Sequence, residues 1–401
     1  MFHPPIIPNY TKKIYTCKMN QDRLRVVIIR NAASHDFGGG ERFPVFLAQE
    51  LRELGHLPVI FSHHTTLCDY AKHERLTYHR SWWWSRQNWS GWRVVLIPLY
   101  VLWQLLLTLY YIVQFYRYKA DVVHLQSKDD FIAGSIAGKL IGARVIWTDH
   151  ADLKHVWKQL GVWYKNPTGK LVAWAARFAD AITLVSQSEC RLVSDNLPLT
   201  SPIHHKLTVI YNGVNDQKPP HAPIKSRLFT FCIAGRLVVD KGISEAIAAF
   251  KRLHATHHNT RLILIGDGPD RSRFEKQAKG LPVTFRGHQT DPLPEVATAD
   301  VYLHPTYHEG FSVSLVEASM LQLPIIATDV GGNPEIIHHN KTGLLVPAKD
   351  STALHRAMEQ LYSNPKLRVR LAAAARRQYL ASFVFHTIVK TQFIPLYENG
   401  L

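Results

Sequence analysis

The chain has 401 residues, 46% hydrophobic and 19% charged, which suits a well-packed soluble protein of two or three domains. Lys plus Arg number 47 against 31 Asp plus Glu, a formal charge of +16 with histidine neutral. That surplus favours an anionic partner, but the basic residues are scattered and carry no nucleic-acid-binding signature, so no nucleic-acid partner is expected.

The N-terminal MFHPPIIPNYTKKIY lacks the charged-then-apolar order of a signal peptide. LRVVIIRN (24–31) reads as a buried strand, and SHDFGGGERF follows it into a helix. Gly38, Gly39 and Gly40 there let the backbone approach a ligand, and a helix N-terminus favours an anion. The run is not a GxGxxG fingerprint. Phe43, Phe46, Leu47, Leu51 and Leu54 recur at helical spacing, with Pro44 tolerable in a first turn and Gly55 as a stop. Further strands are PVIFSH (58–63), DVVHLQ (121–126), RVIWTDH (144–150), AITLVS (181–186) and KLTVIYN (206–212), the last four separated by helical stretches. This repeated winding predicts a mostly parallel sheet with helices on both faces.

Between the second and third of these strands lies an apolar outlier. Val94 to Tyr116 carries no charge and is bounded by Arg93 and Arg117, with Trp and Tyr crowding its ends. It is long enough to span a bilayer, but a single crossing would put strands of one sheet on opposite sides of the membrane. Two readings stand: a helix that packs on its domain and dips into an anionic membrane interface, with contact running through 82–118, and an unusually apolar buried helix.

GVNDQKPPHAPIKSR, with three prolines, reads as a linker, and the winding then restarts. RLFTFCIAG (227–235), RLILIGDG (261–268), VTFRGH (283–288), ADVYLHP (299–305), PIIATDV (324–330) and GLLVP (343–347) are the strand candidates. The expected division is an α/β domain at 1–213 with its apolar segment at 92–118, a linker at 214–226, a second α/β domain at 227–380, and a C-terminal helix at 381–401 bracing the two. The ligand cleft is expected between the halves, at the carboxyl ends of the strands.

Four loops in the second half carry candidate chemistry. AGRLVVDKG (234–242) places Arg236 and Lys241, flanked by Gly235 and Gly242, after a first strand and before a helix expected from Ser244. A guanidinium fork and an ammonium together suit a diphosphate. GDGP (266–269) and DVGGNPE (329–335) are loops at further strand ends, though Gly-Pro and Asn-Pro also mark plain turns. HEGFSVSLVEASMLQLP (308–324) sets Glu309 and Glu317 around a short apolar run. Its plainest reading is a capping box of Ser314 and Glu317, with Glu309 an ordinary loop acid.

Cys17, Cys68, Cys190 and Cys232 form no CxxC pair, which fits a reducing cytoplasm. The adjacent histidine pairs (His63–His64, His204–His205, His257–His258, His338–His339) lack HExxH-type spacing, so no metal is expected.

Taken in order, GGGER, DVVHLQ, TDHAD, ADAITLVS, VIYNGV, AGRLVVDKG, LILIGDGP, HEGFSVSLVEASMLQLPIIATDVGG and TGLLVP resemble family 4 of the glycosyltransferases, from about Leu24 to Pro347. The E-x7-E segment is the most specific part. The resemblance implies a GT-B fold, two Rossmann-like doubly wound domains facing each other across a cleft. It also implies a retaining, hexosyltransferase-type transfer from a UDP- or GDP-linked sugar, with no cofactor or metal. Carried over residue by residue, it assigns Arg236 and Lys241 to the donor diphosphate, Glu309 to the donor sugar and Glu317 to the ribose. His150 falls beside the anomeric centre, and Gly39 in the loop facing the phosphates. The backbone of Gly310, Phe311 and Ser312 matches groups that contact sugar hydroxyls and phosphate, and Gly235 and Gly268 line the donor loops. Base recognition falls to backbone near Arg286–His288, with His288 in the donor set, and Asn212 and Gly213 enter the linker. The acceptor is expected to be a glycan or lipid-linked sugar of the cell envelope, met by a protein that is cytoplasmic and peripheral on the cytoplasmic face of the membrane. A sugar-nucleotide 2-epimerase of similar fold and a non-catalytic membrane-associated scaffold are the alternatives.

Overall fold

The computed structural model describes residues 23–31, 39–81, 95–150, 167–196, 201, 203–217 and 228–398. The readings placed on the N-terminal leader, Cys17, Gly38, the tryptophan-rich stretch 82–94 and most of the linker fall outside those residues.

The first sheet comprises β1 (Arg25–Ile29), β2 (Leu57–Ser62), β3 (Thr77–Arg80), β4 (Val122–Leu125), β5 (Arg144–Asp149), β6 (Ala181–Leu184) and β7 (Leu207–Val209). All pairings are parallel, in the order β3-β2-β1-β4-β5-β6-β7. Covering helices are α1 (Gly39–Glu53), α2 (Thr65–His73), α3 (Ile97–Arg117), α4 (Phe131–Leu140), α5 (Pro167–Ala175) and α6 (Gln187–Asn196). The continuous apolar run of β1 follows from burial on both faces. Val27 and Ile29 pack with Tyr111, Phe115 and Phe131 on one side, Val26 and Ile28 with Phe43, Leu47 and Leu51 on the other. β3 escaped the sequence reading because it is an edge strand with Thr77, Tyr78 and Arg80 exposed, held by pairing to β2. Helix α1 starts at Gly39, so Pro44 sits inside the helix and not in its first turn.

The second sheet comprises β8 (Phe229–Ala234), β9 (Thr260–Ile265), β10 (Val283–Gly287), β11 (Val301–His304), β12 (Ile325–Thr328) and β13 (Leu344–Val346), in the order β10-β9-β8-β11-β12-β13 and again all parallel. Its helices are α7 (Ile243–Thr256), α8 (Arg271–Gln277), α9 (Leu293–Val296), α10 (Val313–Met320), α11 (Asn333–Ile336), α12 (Ser351–Ser363) and α13 (Pro365–Ser382). In both sheets the strand order reverses beside the first strand, between β1 and β4 and between β8 and β11, where a crevice opens at the carboxyl ends.

The carboxyl ends of the two sheets face each other. Glu335 of α11, beyond β12, accepts the backbone N–H groups of Gln187 and Ser188 at the start of α6, each at 2.8 Å. Arg42 in α1, beyond β1, donates to the Thr290 carbonyl beyond β10 at 2.7 Å. The chain crosses between domains twice, and the crossings lie side by side. Val214 N donates to Phe383 O and Phe385 N donates to Val214 O, both at 3.1 Å. The tail then forms α14 (Phe385–Ile388), a π-helical turn (Val389–Phe393) and α15 (Ile394–Glu398), and its Phe385, Ile388, Val389, Phe393, Ile394, Leu396 and Tyr397 join the core of the first domain. Buried Glu50 of α1 ties both crossings, accepting from the Asn215 amide and meeting His386 Nδ1 at 2.7 Å.

Helix α3 overturns the buried-helix reading. Its inner face, with Tyr100, Leu107, Tyr111 and Phe115, packs on the sheet and α4. The outer face leaves Leu99 60%, Leu102 53%, Leu106 53%, Leu109 61%, Val113 62% and Tyr116 79% exposed. It is the one helix among the described residues long and apolar enough to cross a bilayer, yet it connects two parallel strands of one sheet.

Candidate active site

The site grows out of the switch point between β8 and β11. After β8 the chain runs through Gly235 and an exposed Arg236 into a tight turn, Val239–Lys241. That turn is strapped to the loop after β11: Thr306 Oγ1 donates to Asp240 O at 3.1 Å and Tyr307 N to Asp240 O at 2.7 Å. Gly242 has φ +66° and a Cβ there would collide with the Pro305 carbonyl, so only glycine permits this approach. Helix α7 then begins at Ile243, one residue before the expected Ser244.

The strapping brings Lys241 onto Glu309. Lys241 Nζ lies 2.7 Å from Glu309 Oε2, and His304 Nε2 approaches the same oxygen at 3.2 Å. His304 ends β11 and is 4% exposed. Burial alone pushes the Glu309 carboxyl up, but Lys241 and His304 outweigh it and hold it down at about 2. Burial also lowers His304, so its ring is neutral at neutral pH and donates to the carboxylate. Glu309 is therefore no ordinary loop acid. Behind it Gly331, at φ +52°, sits where a Cβ would collide with the Glu309 carbonyl, which holds the loop after β12 against the loop after β11.

Gly310, Phe311 and Ser312 follow at once. No described residue accepts from their backbone N–H groups, which form a row of free donors at the start of α10. The Phe311 ring turns away and stacks on Tyr211 at 5.1 Å, beside the domain crossing. Ser312, not Ser314, caps α10: its Oγ accepts the Leu315 N–H at 3.2 Å. The Ser314–Glu317 capping box is thus not formed, and Ser314 Oγ pairs with Ser312 Oγ at 3.0 Å. The Glu317 carboxylate is left without a hydrogen bond to any described residue, its backbone carbonyl accepting the Leu321 N–H at 2.9 Å. Burial pushes its carboxyl up to about 7, opposed by Arg42 reaching over from the first domain.

The remaining candidates line the same cleft at greater distance. Gly268, with its N–H on Asp267 Oδ1 at 2.8 Å, packs where a Cβ would collide with the Leu237 carbonyl, so its loop backs the Arg236 loop. His288 is exposed beyond β10, at the edge of the sheet and two strands from β8. On the opposite wall Gly39 opens α1, and His150 beyond β5 packs edge-on against Phe43 of that helix at 4.6 Å. Both His150 ring nitrogens are buried without a hydrogen-bond partner among the described residues. Burial, with Arg30 and His124 adding to it, holds the ring neutral. Among the described residues one His/acid group has metal-like spacing, Glu50, Glu53 and His386, and it lies at the domain crossing with Glu50 already engaged.

Sequence reasoning missed His304, Arg42 and Glu335. Arg42 and Glu335 stood inside motifs already singled out, GGGER and DVGGNPE, but their partners lie in the other domain. His304 had no motif to mark it.

These features define a GT-B architecture, and comparisons with known proteins agree. Anabaena HepE bound to UDP-glucose superposes with a TM-score of 0.73 at 18% identity, covering 93% of this chain and 99% of that one. The family described as Glycosyltransferase Family 4 matches residues 37–218, and Glycosyl transferases group 1 matches 214–378. The chain belongs to family 4 of the glycosyltransferases. It is 29% identical over 224 residues to a glycogen synthase of Mycobacterium tuberculosis, covering 54% of this chain and 53% of that protein. It is 28% identical over 254 residues to the phosphatidylinositol N-acetylglucosaminyltransferase gpi3 subunit of Schizosaccharomyces pombe, covering 59% and 52%. The chain thus spans about half the length of these curated relatives.

Proposed function

We propose that the chain is a retaining glycosyltransferase that moves a sugar from a UDP- or GDP-linked donor to a hydroxyl of a glycan or lipid-linked acceptor. One observation carries this reading: Lys241 and Glu309, from separate loops, meet at the β8/β11 switch point beside the free N–H groups of Gly310, Phe311 and Ser312. Arg236 on the same loop as Lys241 supplies a second cation for the diphosphate, and Glu317 is an unengaged carboxylate for the ribose. Departure of the nucleoside diphosphate leaves negative charge on its terminal phosphate, which preorganised cations and backbone donors stabilise without a metal. Glu309 orients a sugar hydroxyl, and His150, held neutral on the acceptor wall, is assigned by the family resemblance to the neighbourhood of the anomeric centre. The leaving phosphate takes the acceptor proton on the front face. Gly235 and Gly268 shape the donor loops, and backbone near His288 meets the base.

The leucine face of α3 supports a membrane-bound acceptor and peripheral attachment to the cytoplasmic leaflet, where the net positive charge favours anionic lipid. The relative named for phosphatidylinositol points the same way.

The test is incubation with UDP-glucose, UDP-N-acetylglucosamine, UDP-galactose and GDP-mannose, with and without membrane lipid extract, following nucleoside diphosphate release. Lipid-dependent release is the expected result. A new sugar nucleotide without release would indicate the epimerase, and no change under any condition the scaffold. Lys241→Ala and Arg236→Ala should each lower turnover at least about a hundredfold, and near wild-type rates in both would overturn the mechanism.

A further inference from the structure

We propose that His304 is a positioning residue: with Lys241 it holds Oε2 of Glu309 and leaves Oε1 aimed at a hydroxyl of the donor sugar. The inference rests on the donor-site reading above and adds to it a residue that the E-x7-E pattern does not contain.

Both neighbours of Glu309 converge on one oxygen. Lys241 Nζ reaches Oε2 at 2.7 Å and His304 Nε2 reaches Oε2 at 3.2 Å, while no described residue donates to Oε1. An ammonium alone would not select which oxygen it takes, because a point charge on a flexible stem is satisfied equally by either one. An imidazole is different: its ring is planar, and its donor direction is set by where the ring is held. His304 is held from several sides. It ends a central strand, its carbonyl lies 3.4 Å from Thr328 Oγ1, and its Nδ1 lies 3.5 Å from Ser314 Oγ. Ser314 is itself placed by the cap residue Ser312 at 3.0 Å. The ionised carboxylate only accepts, so it fixes the tautomer with the proton on Nε2, and Ser314 Oγ is then the group placed to donate to Nδ1. The chain Ser312–Ser314–His304–Glu309 therefore runs from the start of α10 to the carboxylate, and links the free N–H row to the orientation of Glu309. Oε1, with its lone pairs unspent, is the atom left for substrate.

The test compares UDP and GDP, which lack the sugar, with the nucleotide sugar that is turned over. For His304→Leu we expect UDP or GDP affinity within about twofold of wild type, kcat/KM for the nucleotide sugar lowered at least about tenfold, and partial recovery in His304→Gln, which keeps an N–H of similar reach. Ser314→Ala, which leaves the buried histidine in place, should lower kcat/KM by about threefold with diphosphate affinity again unchanged. Sugar-donor kinetics within about twofold of wild type in both His304→Leu and Ser314→Ala would overturn the proposal. So would equal losses for the diphosphate and the nucleotide sugar in Ser314→Ala, since that is collapse of the whole site and not misorientation of one carboxylate. Failure of the wild-type protein to bind either diphosphate overturns the donor-site reading itself, a result that no His304 variant can mimic.

Discussion

Glu309 and Glu317, eight residues apart, are pushed in opposite directions. Both are desolvated, but Lys241 and His304 hold Glu309 ionised, whereas burial lifts Glu317 to about 7, with Asp291 adding to the rise and Arg42 from across the cleft opposing it. An ionised carboxylate accepts from both hydroxyls of a ribose, and a protonated one loses an acceptor site. Nucleotide-sugar affinity should therefore rise with pH as Glu317 ionises, by about tenfold between pH 6 and pH 8, and Glu317→Gln should flatten the profile. A sugar diphosphate has no titration of its own in that window, so calorimetry at both pH values isolates the glutamate. The spacing of the pair was legible in the sequence, and so was the cationic loop. The cap was not: S-x-x-E is satisfied by Ser314 and Glu317, yet Ser312 turns the chain two residues earlier and takes the Leu315 N–H. His304 was silent because its role depends on the loop after β11 bending back over its own strand, a property of the fold and not of the string.

Among elements, α3 is the most informative. Leu99, Leu102, Leu106, Leu109, Val113 and Tyr116 follow a three-four alternation, the spacing of a coiled-coil seam. A seam for a second copy would carry charges beside it. Here the flanking positions are Trp103, Leu105, Tyr110 and Ile112, and the charges wait at the end, in Arg117 and Lys119. That composition suits lipid better than a partner helix. Leu102→Asp with Leu109→Asp should abolish flotation with anionic liposomes and leave turnover on a soluble acceptor within about twofold, because neither side chain enters the core. Retained flotation would refute contact through this face. The sequence could not decide between burial and interface because α3 is apolar on both faces, and periodicity has no contrast to register. β3 was missed for the opposite reason: an exposed edge strand of polar residues has no apolar signal, only backbone pairing.

At the scale of the molecule the two-half winding was readable from strand after strand, because buried parallel strands must be apolar throughout. The tail, expected as a brace at 381–401, goes further than bracing. Its seven buried apolar residues complete the core of the first domain. At about 1.5–3 kcal/mol each, their loss rivals the whole stability of a typical domain. Truncation after Val384 should therefore leave the second domain folded, Phe383 being part of its core, and the first without a cooperative transition, seen as a protease-resistant fragment near 228–384. A single melting transition like that of the full chain would contradict this. The consequence reaches beyond the finished structure. A ribosome delivers the last strand of the first domain, ending at Val209, about 175 residues before the segment that seals it begins at Phe385. Until the last helix emerges, the half of the protein that would meet the membrane is an open vessel, and the half that would hold the nucleotide is already shut.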